Sequence, residues 1–268
     1  MDIRTFFDEN EKPLERLLPD GGFCGIFRTI GCIGDSLSSG EFQTKKDEET
    51  FRYTDMYEYS WGQYMARTLG SKVYNFSRGG MTAKWYMDTF ANDRGFWNPS
   101  LACQAYIIAL GVNDVAKEHP MGSLEDIKPD WRDNEDTYTG NYAAIIQRLK
   151  EIQPNAKFFL MSSPQWEGND SLNAKYAVLS EKIRDLANHF ENCYFMDFFT
   201  YSPPIDDLYR QKFWLHRHLA PSGYILSAKM IMSYMDYIIR HNMEDFKMVG
   251  FTGREKLLEQ PEAYQPIY

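Results

Sequence analysis

Short apolar runs alternate along the chain with longer amphipathic segments. The apolar runs predict five buried strands, at residues 28–33, 72–76, 105–110, 157–161 and 193–196. Apolar residues at helical spacing predict helices, at residues 57–69, 82–91, 141–152, 172–190 and 222–239. Because strands and helices alternate, we expect an α/β fold, a three-layer α/β/α sandwich around a five-stranded parallel sheet with right-handed crossovers.

In such a sheet, ligands bind beyond the carboxyl ends of the strands. Functional residues are therefore expected in the segments that follow each strand, at residues 34–55, 77–82, 111–133, 162–171 and 197–221. The polar insertion 38–55 is long for a strand-to-helix loop, and loops of this length often form the rim of an active site.

The pattern indicates a single domain over residues 1–268, with no internal repeat or shift in composition. An N-terminal extension (1–27) and a C-terminal tail (242–268) lie outside the alternating pattern. The tail carries apolar residues without a clear period. It therefore either wraps its own domain or crosses to a second subunit of a homo-oligomer, and the sequence leaves both open.

Composition narrows the class of protein. Charged residues make up 25% and hydrophobic residues 43%, as in ordinary globular proteins. A net charge of −9 without a basic block argues against nucleic acid or an anionic membrane as the main partner. We expect neither a transmembrane helix nor a secretory signal. The four scattered cysteines indicate free thiols rather than disulfides, so a cytoplasmic enzyme is expected.

Candidate chemistry follows each of the first two strands. Gly34-Asp35-Ser36-Leu37 places a serine hydroxyl where it could face a ligand, although the same residues also suit a turn or a helix cap. The adjacent Gly79 and Gly80 allow the backbone to approach a substrate closely and to offer an N–H. A flexible turn or a phosphate site would explain the glycines equally well.

Two more segments carry polar groups of interest. The third strand ends in Gly111-Val112-Asn113-Asp114, where the Asn113 amide could hold a developing oxyanion or merely form a turn. His216 and His218 precede the last helix, where a histidine is available as a base. The remaining histidines show no ligand spacing relative to these two, so a metal site is not expected.

The order of these four segments resembles the SGNH (GDSL) hydrolase superfamily, from about Ile30 to Tyr224. The resemblance implies a flavodoxin-like topology and an esterase or lipase-like acylhydrolase that needs no cofactor and no metal. It implies that Ser36 is the nucleophile. It also implies that His218, in a His-Leu-x-Pro-x-Gly-Tyr context, is the base. The implied oxyanion hole consists of Ser36, Gly80 and Asn113.

One departure from the family pattern concerns the support of the histidine. The family usually places an aspartate three residues before it, where this chain has Leu215. Three hypotheses remain. A backbone carbonyl near Leu215 holds the imidazole in a Ser–His dyad, Asp206 or Asp207 reaches it, or the protein is catalytically weakened.

The ester itself is only weakly specified. Aromatic residues in the expected rim, Trp85 and Trp166 among them, suit stacking on sugars or simply pack the loops. We expect a small-molecule substrate, an acetyl or other short-acyl ester of a small carbohydrate. A lysophospholipase or thioesterase, a non-catalytic binding protein of the same fold, and a phosphate-binding flavodoxin-like domain are the alternatives.

Overall fold

The computed structural model describes residues 2–3, 7–8, 10–45, 47 and 50–259. Its strands are β1 (Thr29–Gly34), β2 (Glu41–Lys45), β3 (Phe51–Asp55), β4 (Lys72–Asn75), β5 (Ala105–Ala109), β6 (Lys157–Met161), β7 (Cys193–Met196), β8 (Trp214–Leu215) and β9 (His218–Leu219). Five of them form one sheet in the order β4-β1-β5-β6-β7, with every neighbouring pair parallel. The expected α/β fold with a five-stranded parallel sheet is confirmed.

Helices connect these strands and cover both faces of the sheet. They are α1 (Ser36–Ser39), α2 (Trp61–Leu69), α3 (Ala83–Trp85), α4 (Ala91–Asp93), α5 (Val112–Ala116), α6 (Tyr138–Ile152), α7 (Asp170–His189), α8 (Phe198–Tyr201), α9 (Asp207–Phe213), α10 (Pro221–His241), α11 (Met243–Phe246) and α12 (Lys256–Glu259). Side chains cap the N-termini of several helices. The Ser60 hydroxyl accepts a hydrogen bond from Gln63 N at the start of α2, and the Thr137 hydroxyl accepts one from Gly140 N at the start of α6. The helix predicted over 82–91 is interrupted by a π-helical turn, Tyr86–Phe90.

The sheet separates two hydrophobic clusters because successive strand residues point to opposite faces. On β5, Tyr106 and Ile108 belong to the cluster beneath α6 and α7. Ala105 and Ile107 belong to the cluster beneath α2 and α10. The strands are therefore apolar on both faces, which is the reason their sequences read as continuous apolar runs.

The polar insertion 38–55 is not an irregular loop. It forms an antiparallel hairpin in which Glu41 pairs with Asp55 and Lys45 with Phe51. Strand β2 of this hairpin contacts the second hairpin, β8–β9. A hydrogen bond of 2.9 Å from the Arg217 amide to Oε1 of Gln43 joins the two hairpins. The insertion thus reaches the segment that carries His218.

Both chain ends pack on the same face of the sheet. In the N-terminal extension, Phe23 N donates to the Asp236 carboxylate of α10 at 2.7 Å, and Phe27 is fully buried. In the tail, Phe246 and Val249 are buried in the same cluster. The described part of the tail therefore wraps its own domain, and residues 260–268 lie outside the described residues.

Two further features were expected from the sequence. The cysteines are free thiols, at Cys24, Cys32, Cys103 and Cys193. Among the described residues, no helix is both long enough and apolar enough to cross a membrane.

Replacing Phe246 by Ala tests the docking of the tail. The ring lies 5.1 Å from Tyr194 and 6.2 Å from Phe27, centroid to centroid. We expect the free energy of unfolding, measured with a chemical denaturant, to fall by about 3–5 kcal/mol. Leu258→Ala, at an exposed position of the same tail, should change it by no more than about 0.5 kcal/mol. Equal effects would contradict the observed packing.

Candidate active site

Ser36 follows strand β1, which lies between β4 and β5 in the sheet, and it begins a short helix. Asp35 caps this helix, because its Oδ1 accepts from Leu37 N at 3.0 Å. As the first residue of α1, Ser36 has an amide that no helical carbonyl can reach. Within the described part of the chain, that amide donates to no other residue. The turn therefore presents both the hydroxyl and the N–H of Ser36.

Gly80 follows β4, which is hydrogen-bonded to β1 in the sheet. Its φ is +72°, a left-handed conformation that favours glycine, and a Cβ at this position would meet open space. Lys117 Nζ donates to its carbonyl at 3.3 Å. The Gly80 amide has no acceptor among the residues described here. Within the described residues, the loop thus holds a free backbone donor next to the end of β1.

The loop after β4 is tied to the segment after β5. The Ala83 amide lies 3.2 and 3.3 Å from the two carboxylate oxygens of Asp114. Asp114 is fully buried, and its Oδ1 also lies 3.3 Å from Nδ1 of His119. Burial raises the pKa of this carboxyl, while the Ala83 N–H counteracts the shift. Asp114, the fourth residue of the Gly-Val-Asn-Asp segment, therefore holds the loop after β4 against the segment after β5.

Asn113 stands in the first turn of α5, directly after β5. Its Nδ2 donates to Oδ2 of Asp35 at 3.2 Å. A side-chain amide carries two N–H hydrogens, so one is used by Asp35 and the second is available to a ligand. The contact also decides which end of the amide is nitrogen, since a carboxylate only accepts.

His218 is supported by a residue that the motifs do not include. Its Nε2 lies 3.1 Å from Oε1 of Glu41, and the two side chains are only 12% and 13% exposed. Its Nδ1 is buried and has no partner among the described residues. The edge of the Tyr53 ring packs against the imidazole at 5.8 Å. Strand β9, which carries His218, contacts α1, which carries Ser36.

The supports expected for His218 are not the ones observed. Leu215 pairs with His218 in the β8–β9 hairpin, but no backbone carbonyl holds the ring within the described residues. Asp206 caps α9 by accepting from Tyr209 N at 2.6 Å, and Asp207 pairs with Arg210. Both aspartates are thus engaged at the start of α9, and the carboxylate observed beside the imidazole is that of Glu41.

A weak sequence signal for Glu41 existed. In the segment Glu41-Phe42-Gln43, residues 41 and 43 share one side of an extended strand. Both point to the β8–β9 hairpin, where Glu41 meets His218 and Gln43 meets Arg217 N. Without knowing that 38–55 forms a hairpin, the alternation could not be assigned to a partner.

Asp35 is a buried carboxyl next to the catalytic candidates. Burial raises its pKa to about 6, although the Leu37 N–H and the nearby His218 both act to lower it. The side chain is only 4% exposed. Its negative charge is therefore costly, and the Asn113 amide and the helix cap partly offset that cost.

A small cavity of about 140 Å³ is lined by Asp35 and Leu37, which flank Ser36, whereas Ser36, Gly80, Asn113 and His218 do not line it. Apolar side chains dominate its wall, including Leu110, Met161, Trp166, Trp214 and Leu219. Trp166 packs edge-on against Trp214 at 5.1 Å, whereas Trp85 lies elsewhere, under the Arg78 guanidinium at 5.5 Å. A wider groove of about 770 Å³ by the N-terminal extension is lined by none of these residues.

A comparison with known protein families gave a match over most of the chain. The model of the GDSL-like lipase/acylhydrolase family matches residues 32–226, which include all four candidate segments. A search among curated proteins found no match to the chain.

Solved structures with the same fold include two carbohydrate esterases. A family two carbohydrate esterase from Clostridium thermocellum, in complex with cellohexaose, is 17% identical with a TM-score of 0.57, over 88% of this chain and 66% of that chain. A family 2 enzyme with a carbohydrate-binding domain from Corynascus thermopiles is 17% identical with a TM-score of 0.54, over 85% and 69%. A protein from Lactobacillus plantarum is 14% identical with a TM-score of 0.56, over 78% and 97%. At such identities the likeness establishes the fold.

Asp35→Asn tests the cost of the buried charge. The pKa of Asp35 is about 6 in the folded protein against an ordinary 3.8, so its stabilising contribution is full below about pH 4 and is lost as the pH rises through 6. Asn stays neutral and keeps the Oδ1 cap. Between pH 4 and pH 7 the variant should therefore gain up to about 3 kcal/mol of unfolding free energy relative to the parent protein. Denaturant titrations across this range measure it, and parallel pH profiles would contradict the assignment.

Proposed function

The chain belongs to the GDSL-like lipase/acylhydrolase family, and from this premise we propose that it is a serine esterase acting through an acyl-enzyme. One observation carries the proposal. Among the described residues, the amides of Ser36 and Gly80 and the second hydrogen of the Asn113 amide have no acceptor; these groups follow β1, β4 and β5, and β1 is the middle strand of the three. Because parallel strands end at the same edge, we expect the donors to face a common space next to the Ser36 hydroxyl.

The proposed reaction is acyl transfer to water. Ser36 gives its proton to His218, and its oxygen attacks the ester carbonyl. The resulting oxyanion accepts hydrogen bonds from the amides of Ser36 and Gly80 and from the Asn113 side chain, each worth about 3–4 kcal/mol in the transition state. His218 then protonates the leaving alkoxide, and water repeats the sequence on the acyl-enzyme.

The proposed substrate is an acetyl or similarly short ester of a small carbohydrate. The proposed acyl pocket is the cavity of about 140 Å³ lined by Asp35 and Leu37, the residues that flank Ser36. An apolar cavity of roughly 150 Å³ holds a molecule the size of benzene, so a pocket of this size favours a short acyl group over a long acyl chain. The carbohydrate esterases that share the fold support the sugar as the alcohol part.

A second candidate is a binding protein of the same fold without turnover. The observation that favours it is Leu215, which stands where the family usually has the aspartate of the triad. Such a protein would keep the pocket and the oxyanion donors but would not transfer an acyl group.

A fluorophosphonate probe distinguishes the two candidates. We expect an adduct on Ser36, located by peptide mass spectrometry, because the probe reports an activated serine. His218→Ala should abolish labelling and esterase activity. His216→Asn should retain most of both: His216 is exposed, has a φ of +59°, and contacts Phe51 rather than Ser36. Absence of any adduct would favour the binding protein.

Nitrophenyl esters of increasing chain length test the acyl preference. We expect kcat/KM to be highest for acetate and to fall steadily towards octanoate, since the proposed acyl pocket limits the acyl group. A maximum at octanoate or beyond would refute the short-acyl proposal and indicate a lipase or thioesterase instead.

A further inference from the structure

The histidine of the proposed esterase rests on a carboxylate from an unexpected element. Oε1 of Glu41, the first residue of the β2–β3 hairpin, lies 3.1 Å from Nε2 of His218. We propose that Glu41 is the positioning residue of His218. It takes the role of the triad aspartate, whose usual place is occupied by Leu215 in this chain. Ser36, His218 and Glu41 then form a serine–histidine–glutamate triad. This inference rests on the proposed esterase function and deepens it.

The 3.1 Å contact with Glu41 indicates the roles of the two ring nitrogens. An ionised carboxylate only accepts, so the imidazole hydrogen is on Nε2 and the lone pair is on Nδ1. Nδ1 is buried and unpartnered within the described residues. A buried acceptor of this kind is costly unless it finds a donor. In the proposed reaction Nδ1 accepts the proton of the Ser36 hydroxyl, and the contact between α1 and β9 places the two residues on neighbouring elements.

Glu41 is held in place by its own strand. Its backbone carbonyl accepts from the hydroxyl of Tyr224 at 2.7 Å. Two residues further on, the fully buried Gln43 accepts from Arg217 N and donates to the hydroxyl of Tyr53 at 3.1 Å. The carboxylate therefore belongs to a fixed contact between two hairpins, and it is not a freely moving surface charge.

Gly79 makes room for this carboxylate. A Cβ at Gly79 would overlap Oε2 of Glu41, while the glycine has no positive φ that would require its flexibility. The absence of a side chain at residue 79 is thus explained by the approach of Glu41. The contact also places the carboxylate next to Gly80, the proposed oxyanion donor.

The proton balance of the triad is simple. The Oγ–H bond of Ser36 breaks and its proton moves to Nδ1 of His218, while Oγ forms a bond to the carbonyl carbon and the π electrons move to the oxygen. Nε2–H stays on His218 and faces the Glu41 carboxylate, which stabilises the imidazolium. When the leaving C–O bond breaks, the proton on Nδ1 passes to the alkoxide.

Glu41→Gln tests the role of the charge. We expect kcat/KM to fall by roughly 10²–10⁴-fold, mostly through kcat. The acidic limb of the pH profile should move to lower pH, because a neutral amide stabilises the imidazolium less. The other ionisable groups facing the ring, Tyr53 from β3 and Asp35 before α1, are unchanged in the variant. As the matched control, Asp207→Asn should keep kcat/KM within about twofold of the value for the parent protein.

Gly79→Ala tests the same contact without changing Glu41 or His218. The added methyl group displaces the carboxylate, so the variant should lose activity to a similar extent as Glu41→Gln. In a Glu41→Ala background, where no carboxylate remains to be displaced, Gly79→Ala should have no further effect. If the activity losses of the two single variants instead multiply in the double variant, Gly79 acts independently of Glu41. The argument from Gly79 for the role of Glu41 is then refuted.

The outcomes separate the inference from the function on which it rests. If the unmodified protein is not labelled at Ser36 by the fluorophosphonate, the esterase proposal fails. If it is labelled and active, but folded Glu41→Gln stays within about threefold with an unchanged pH profile, only the role of Glu41 is refuted. A higher rate of the Glu41→Gln variant than of the parent protein would mean that Glu41 blocks the base. This result would also refute the positioning role of Glu41.

Discussion

The parallel alignment of three neighbouring strands is the constraint on which the site depends. Strand β1 lies between β4 and β5, so the segments that follow them leave the sheet at one edge. Within the part of the chain that the structure describes, each segment then keeps a donor unsatisfied: the Ser36 amide, the Gly80 amide and one hydrogen of Asn113. The sheet supplies the proximity at no further cost, because its ladder of hydrogen bonds is needed for folding in any case.

A buried polar cluster turns this proximity into defined geometry. Asp35 orients Asn113, and Asp114 anchors the amide of Ala83 three residues after Gly80. Burial raises the pKa of both carboxyls, so each contact is maintained against an electrostatic cost. Buried carboxyls with shifted pKa values are common at functional sites. The two aspartates of the Gly-Asp-Ser and Gly-Val-Asn-Asp segments thus position other groups.

The histidine shows a different principle, in which one insertion completes a site. The β2–β3 hairpin carries Glu41 to His218 and Gln43 to the neighbouring backbone. A chain without an acid at residue 215 can in this way still offer its imidazole a carboxylate. The geometry explains how the four family segments can be preserved while the usual triad aspartate is absent.

The sequence by itself determined the five strands of the parallel sheet, the longer helices and the order of the candidate segments, because each depends on local periodicity or on spacing along the chain. The strands at 157–161 and 193–196 agree in full, and the helix predicted over 222–239 is observed as Pro221–His241. Only the tertiary structure decided that the insertion 38–55 is a hairpin, that the described tail folds back, and that Glu41 rather than Asp206 or Asp207 meets His218. Glu41 and His218 lie far apart along the chain, and no local pattern reports a contact that arises only when two hairpins dock.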